Sequence, residues 1–137
     1  MRRGPSTPRK TVLLVPGGMC STAFYDDMMA ASPLASAPVR LVAATVPGHA
    51  GTPAPRNLSM ENYAALAGAL AAERGCDVVV GHSLGANVAL EMVAGGHFAG
   101  PVVLLSPTFS APDESKVLAF ADSLGRLPGI GALTWSA

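Results

Sequence analysis

The sequence predicts an α/β fold, a parallel sheet of about four strands with helices on both faces. Two observations carry that expectation. Short continuous apolar runs closed by glycine or proline recur four times, as strands buried on both faces require, and stretches of helical spacing separate them. Strand and helix in alternation at these lengths imply right-handed crossovers between parallel neighbours.

The first run is "TVLLVP" at residues 11–16, followed by Gly17 and Gly18. Residues 22–31 read as a helix that stops near Pro33. "VRLVAATVPG" at 39–48 reads as the second strand, and "HAGTPAPRN" behind it is too rich in proline and glycine for a regular element. Ser59 is a good N-cap, and Tyr63, Leu66, Ala67 and Leu70 form the stripe of an amphipathic helix that Gly75 ends. Residues 78–80 form the third strand, residues 86–94 its following helix, and "PVVLLSP" at 101–107 the fourth strand. Beyond Pro107 the alternation fades: residues 116–124 read as helical, and "GRLPGIGALTWSA" has no clear period.

Composition bounds the function. The 137 residues suit one domain, and 50% hydrophobic against 13% charged residues exclude overall disorder. Nine basic residues balance nine acidic ones, so no global field draws the chain to nucleic acid or to an anionic membrane. The partner has to be sought in a site. Arg2, Arg3, Arg9 and Lys10 lie in a solvated tail, and the apolar run that follows is too short for a signal peptide or a membrane span. Cys20 and Cys76 match neither a zinc nor a CxxC spacing, which implies reduced thiols and a cytoplasmic location.

In an open parallel sheet, ligands bind beyond the carboxyl ends of the strands. "PGGMCS", "PGHAGT" and "GHSLG" all follow strands and therefore share one rim. The third makes an unusual demand, because a buried strand meets a serine between small residues and reverses at once into a helix.

Taken in order, "LLVPGGMCS", "VPGHAGT" and "GHSLG" resemble the α/β-hydrolase family: its oxyanion loop, its Pro-Gly-His turn and its nucleophile elbow. The resemblance covers about residues 11–110 and implies a partial α/β-hydrolase fold. It makes Ser83 the nucleophile, with the backbone N–H groups of Gly18 and Leu84 as the oxyanion hole and Met19 as the alternative donor. Gly81, Gly85 and Ala86 supply the room that the elbow needs. Neither cofactor nor metal is implied, and the expected partner is a small-molecule acyl ester or thioester. Met19, Phe24, Met28 and Met29 near the loop suggest an apolar acyl group and are equally ordinary core residues.

A serine needs a base oriented by a carboxylate, and the family's order is Ser, then Asp or Glu, then His. No histidine follows His97. His82 should point away from Ser83, His49 matches a family position that packs behind the oxyanion loop, and His97 falls at the opposite end of the sheet. Asp113 or Glu114 could serve as the acid, although Asp113 also makes a good N-cap. Thr45 replaces the aspartate commonly found before the Pro-Gly-His turn. The expected organisation is a flexible basic tail at 1–10, a partial core at 11–110 and the truncated start of a lid region at 111–137. The fourth strand then presents an apolar edge, which implies self-association or a complementing chain.

The leading expectation is a hydrolase of carboxylic esters or thioesters, incomplete in this chain, with the usual acid and histidine absent. An acyl-carrier acyltransferase uses a similar elbow but wants a downstream histidine and an arginine near the acyl carboxylate. A binding module that has lost the chemistry is the non-enzymatic alternative. A dinucleotide-binding domain is excluded, since no GxGxxG follows the first strand.

Overall fold

The computed structural model describes residues 9–107. The expectations for most of the basic tail, for Asp113 and Glu114, for residues 116–124 and for the lid region lie outside the described residues.

Four parallel strands form one sheet: β1 (Lys10–Val15), β2 (Val39–Ala43), β3 (Val78–His82) and β4 (Val102–Leu105), in the spatial order β2-β1-β3-β4. β1 is the hub, with Leu13 opposite both Val42 and Val79, and β3 carries the register on to Val102. Lys10, expected in the tail, opens β1. Its ammonium and the Thr11 N–H both reach the Asp77 carboxylate, at 3.4 and 2.9 Å, which clasps β1 to the start of β3.

The expected helix at residues 22–31 is broken. Thr22–Tyr25 is a 3-10 turn capped by Ser21, α1 runs Asp26–Ala30, and Ala31 turns extended before α2 (Ser32–Ala35). Pro33 sits in the first turn of α2, where its missing N–H costs nothing; deeper in a continuous helix its ring would strike a carbonyl one turn back. Proline starts a helix here instead of stopping one.

β2 is also shorter than its apolar run. One further bond, from the Ala44 N–H to the Leu14 carbonyl at 2.9 Å, extends the pairing. β1 then ends at Val15 and leaves β2 no partner, so the chain drops away and buries Val46.

α3 (Met60–Arg74) has the expected ends, with Ser59 Oγ accepting from the Asn62 N–H and Gly75 closing it at φ 62°. Its deepest positions are the small residues Ala64, Gly68 and Ala71, beside the expected stripe. Large side chains at those positions would hold α3 away from α4 (Leu84–Ala94), whose own buried residues include Gly85, Ala86 and Ala89. α4 begins two residues before the expected start. α3 and α4 cover one face of the sheet through a core of Leu13, Val15, Val79, Val88 and Met92. The other face receives the 3-10 turn, with Tyr25 and Leu14 fully buried.

Candidate active site

The strand order places a switch point between β1 and β3: the chain moves outward from β1 to β2, then returns past β1 to build β3 and β4. Crevices at such points are where open α/β sheets bind ligands, because the loops leaving the two strands diverge to opposite faces. The loop after β1 carries Gly17, Gly18 and Met19, and the turn after β3 carries Ser83.

These two segments touch. A Cβ built on Gly17 would lie 3.4 Å from Ser83 Cβ and 3.4 Å from His82 Nδ1. One built on Gly18 would lie 3.5 Å from His49 Cε1 and 3.6 Å from Leu84 Cδ2. The three sequence segments that follow β1, β2 and β3 thus meet around two glycines.

Ser83 sits at the tip of the turn with φ 53° and ψ −117°, a conformation that costs a non-glycine residue about 1–3 kcal/mol. Three supports hold it. Its N–H donates to the Leu105 carbonyl at 2.9 Å, and its own carbonyl accepts from the N–H groups of Ala86 and Asn87 at 2.9 and 3.2 Å. Behind it the backbones nearly merge: a Cβ on Gly81 would collide with the Gly85 carbonyl, and one on Gly85 with the carbonyls of Val15 and Pro16. Among the described residues, the other non-glycine residues at positive φ are Met19, Ala50 and Ser106, so each of the four strands is followed by one such residue. Backbone strain is gathered at this rim.

The two segments that meet here carry backbone N–H groups of different standing. Leu84 opens α4, so its N–H has no helical partner and the helix dipole adds to it. In the first loop the Met19 N–H donates to His49 Nδ1 at 2.8 Å, while Gly18 donates in none of the backbone bonds found among the described residues. Met19, the alternative donor, is therefore engaged and Gly18 is available.

The histidines fall in three places. His82 stacks on Phe24 with ring centroids 4.8 Å apart and planes inclined at 26°. Its Nδ1 is buried without a hydrogen-bond partner among the described residues. His97 is exposed beyond the carboxyl end of α4, at the far end of the sheet. None of the three hydrogen-bonds the Ser83 hydroxyl, which makes no capping bond to α4 either. Nearby, Tyr25 donates its hydroxyl to the Val15 carbonyl at 2.9 Å, and burial, with a smaller contribution from Cys20, pushes its pKa up to about 12. It stays protonated and braces the strand from which the first loop springs.

A cavity of about 70 Å³ lies beneath the second loop, lined mainly by Val15, Ala44, Val46, Leu66, Leu70 and Val88. No three His, Cys, Asp or Glu side chains among the described residues cluster as metal ligands would. Cys20 and Cys76 are free thiols.

A sequence profile of the alpha/beta hydrolase family matches residues 12–137, nearly the whole chain. The chain belongs to the alpha/beta hydrolase family. The partial hydrolase fold expected from the motifs is the observed one. In three dimensions the chain is similar to the crystal structure of an alpha/beta hydrolase family protein from Desulfitobacterium hafniense, at 23% identity and a TM-score of 0.58. That match covers 85% of this chain and 48% of the other, so this hydrolase-family chain spans about half the length of the protein it resembles. No curated protein sequence matches it significantly. No helix among the described residues is long and apolar enough to cross a membrane.

What holds His49 is not legible in the sequence. The bond from Met19 joins residues 30 apart through a backbone donor, and no side-chain pattern announces such a bond.

Proposed function

We propose that the chain carries the nucleophile and the oxyanion donors of a serine hydrolase acting on carboxylic esters or thioesters. The observation that supports this most is the meeting of Gly17 and Gly18 with a strained Ser83 at the sheet's switch point. In that reading Ser83 Oγ attacks the acyl carbon, and the charge passing to the carbonyl oxygen is taken up by the N–H groups of Gly18 and Leu84. Such donors act strongly because they are fixed before the reaction begins; loss of one costs about a hundredfold or more in rate.

The proton of Ser83 must also leave. His49 Nδ1 already accepts a hydrogen bond, His82 stacks on Phe24 with its Nδ1 unpaired against Gly17, and His97 lies at the far end of the sheet. No described histidine hydrogen-bonds the Ser83 hydroxyl, so in this reading a base has still to be brought to it. The family's usual acid and base have not been located among the described residues, and that favours one second reading, a binding module that retains the crevice without turnover.

Intact-mass spectrometry after exposure to a fluorophosphonate tests for an activated serine whatever the natural substrate, because the serine oxygen attacks the probe's phosphorus and displaces fluoride to leave a phosphonyl adduct. One adduct, lost in Ser83→Ala, is the expected result for the hydrolase. A folded chain that stays unmodified would overturn an activated serine in this chain alone, leaving the binding module or a serine that waits for a base from a second chain.

A further inference from the structure

We infer that His49 is a positioning residue for the first rim loop: by accepting the Met19 N–H on Nδ1, it fixes Gly18 as that loop's free donor toward Ser83. The inference deepens the hydrolase reading and rests on it for its catalytic consequence, while the tether itself is a matter of geometry.

The loop needs a tether. Gly17 and Gly18 leave its backbone with more freedom than any other residues would, and Met19 stands at φ 63°, where a side chain is strained. Left alone, a methionine there would relax and carry the preceding peptide with it. The 2.8 Å bond to His49 opposes that relaxation.

The anchor is itself held firmly. The His49 N–H donates to the Val46 carbonyl at 3.1 Å, and the His49 carbonyl accepts from the Thr52 hydroxyl at 2.7 Å and from the Thr52 N–H at 3.0 Å. The Thr52 hydroxyl also accepts from the Gly48 N–H at 3.1 Å. One threonine therefore locks the turn that presents the imidazole, and the ring with Leu84 brackets Gly18 from two sides.

The bond also assigns the imidazole's chemistry. A nitrogen that accepts from an N–H carries no proton, so a neutral His49 has its hydrogen on Nε2. The catalytic arrangement of serine hydrolases is the reverse, with Nδ1–H donating to a carboxylate and Nε2 bare. His49 is thus built to hold the loop and not to take the serine's proton.

Two substitutions and one spectroscopic readout test the tether. His49→Asn keeps an acceptor oxygen near the position of Nδ1, and His49→Leu keeps bulk without an acceptor. Hydrogen exchange of the Met19 amide should quicken about tenfold or more in the Leu variant and stay within about threefold of the original in the Asn variant, as loss of one hydrogen bond predicts. Phosphonylation of Ser83 by the fluorophosphonate should follow the same order. Equal exchange in both variants would overturn the tether. Altered exchange with unchanged phosphonylation would overturn only its link to the donor at Gly18. If no variant is phosphonylated, Ser83 is not activated in this chain alone, while the exchange result still decides the tether. Should the Leu variant not fold, long-range proton–nitrogen correlation on the unaltered chain suffices: a proton on Nδ1 of neutral His49 would refute the inference.

Discussion

His82 Nδ1 is buried beside Gly17 and finds no partner among the described residues, although an orphaned polar atom in such a place costs about 1–3 kcal/mol. The ring's contribution is its stacking on Phe24, which needs no nitrogen. His82→Phe should therefore raise stability by about 1 kcal/mol in urea denaturation, since it keeps the stack and removes the orphan. A loss of similar size would show that the nitrogen is paired by a group outside residues 9–107. At this scale the sequence was partly legible. Alternation along β3 implied that His82 points away from Ser83; its ring does stack on Phe24, yet its Nδ1 and the Ser83 Cβ both lie against Gly17. The Met19–His49 bond was not legible, because backbone donors look alike in every sequence.

Elements were legible where one local rule decides them. Ser59 and Gly75 bound α3 as capping chemistry requires, and the four apolar runs became the four strands. The misses came where a neighbour decides. β2 ends early because β1 leaves it, and Pro33 begins α2 because a proline tolerated in a first turn is not tolerated later in a helix. The α3 stripe held for Tyr63, Ala67 and Leu70, which pack against the core, while Leu66 is exposed and the deepest positions fall to small residues because contact with α4 favours them over large apolar ones. The tightest such contact is at the elbow. Gly85→Ala would drive a methyl group into the backbone carbonyls of Val15 and Pro16, which no rotamer can relieve. It should destabilise the chain by about 3 kcal/mol, the upper range for overpacking, or prevent folding altogether. An alanine variant within about 1 kcal/mol of the original in urea denaturation would mean that β1 and α4 can separate there.

For the molecule as a whole, the sheet has a functional end and a structural end. At the structural end Asp77 accepts from the Thr11 N–H and from Lys10, and the Asp77 N–H returns a bond to the Thr11 carbonyl at 2.7 Å. The backbone bond from Thr11, aided by Lys10, lowers the Asp77 pKa from its ordinary 3.8 despite some desolvation. A carboxylate whose pKa falls on folding stabilises the folded state above its unfolded value, so this contribution is complete above 3.8 and fades as pH drops below it. Asp77→Asn should flatten that part of the acid-unfolding curve without altering the reaction of Ser83 with the fluorophosphonate. An unchanged acid limb would mean that the clasp opens without consequence. The parallel architecture and the shared rim were legible from the alternation alone, while a histidine partner for the Ser83 hydroxyl was not, because the alternation does not say which side chains meet across the rim.

The Ser83 N–H hangs on the carbonyl of Leu105, the last residue of β4. That strand is four residues long, pairs only with β3 among the described residues, and exposes Val103 and Leu105. Short edge strands with few buried contacts are the first parts of a sheet to fray. Each opening of β4 unhooks the residue at the tip of the elbow, so the order of the candidate nucleophile is tied to that of β4.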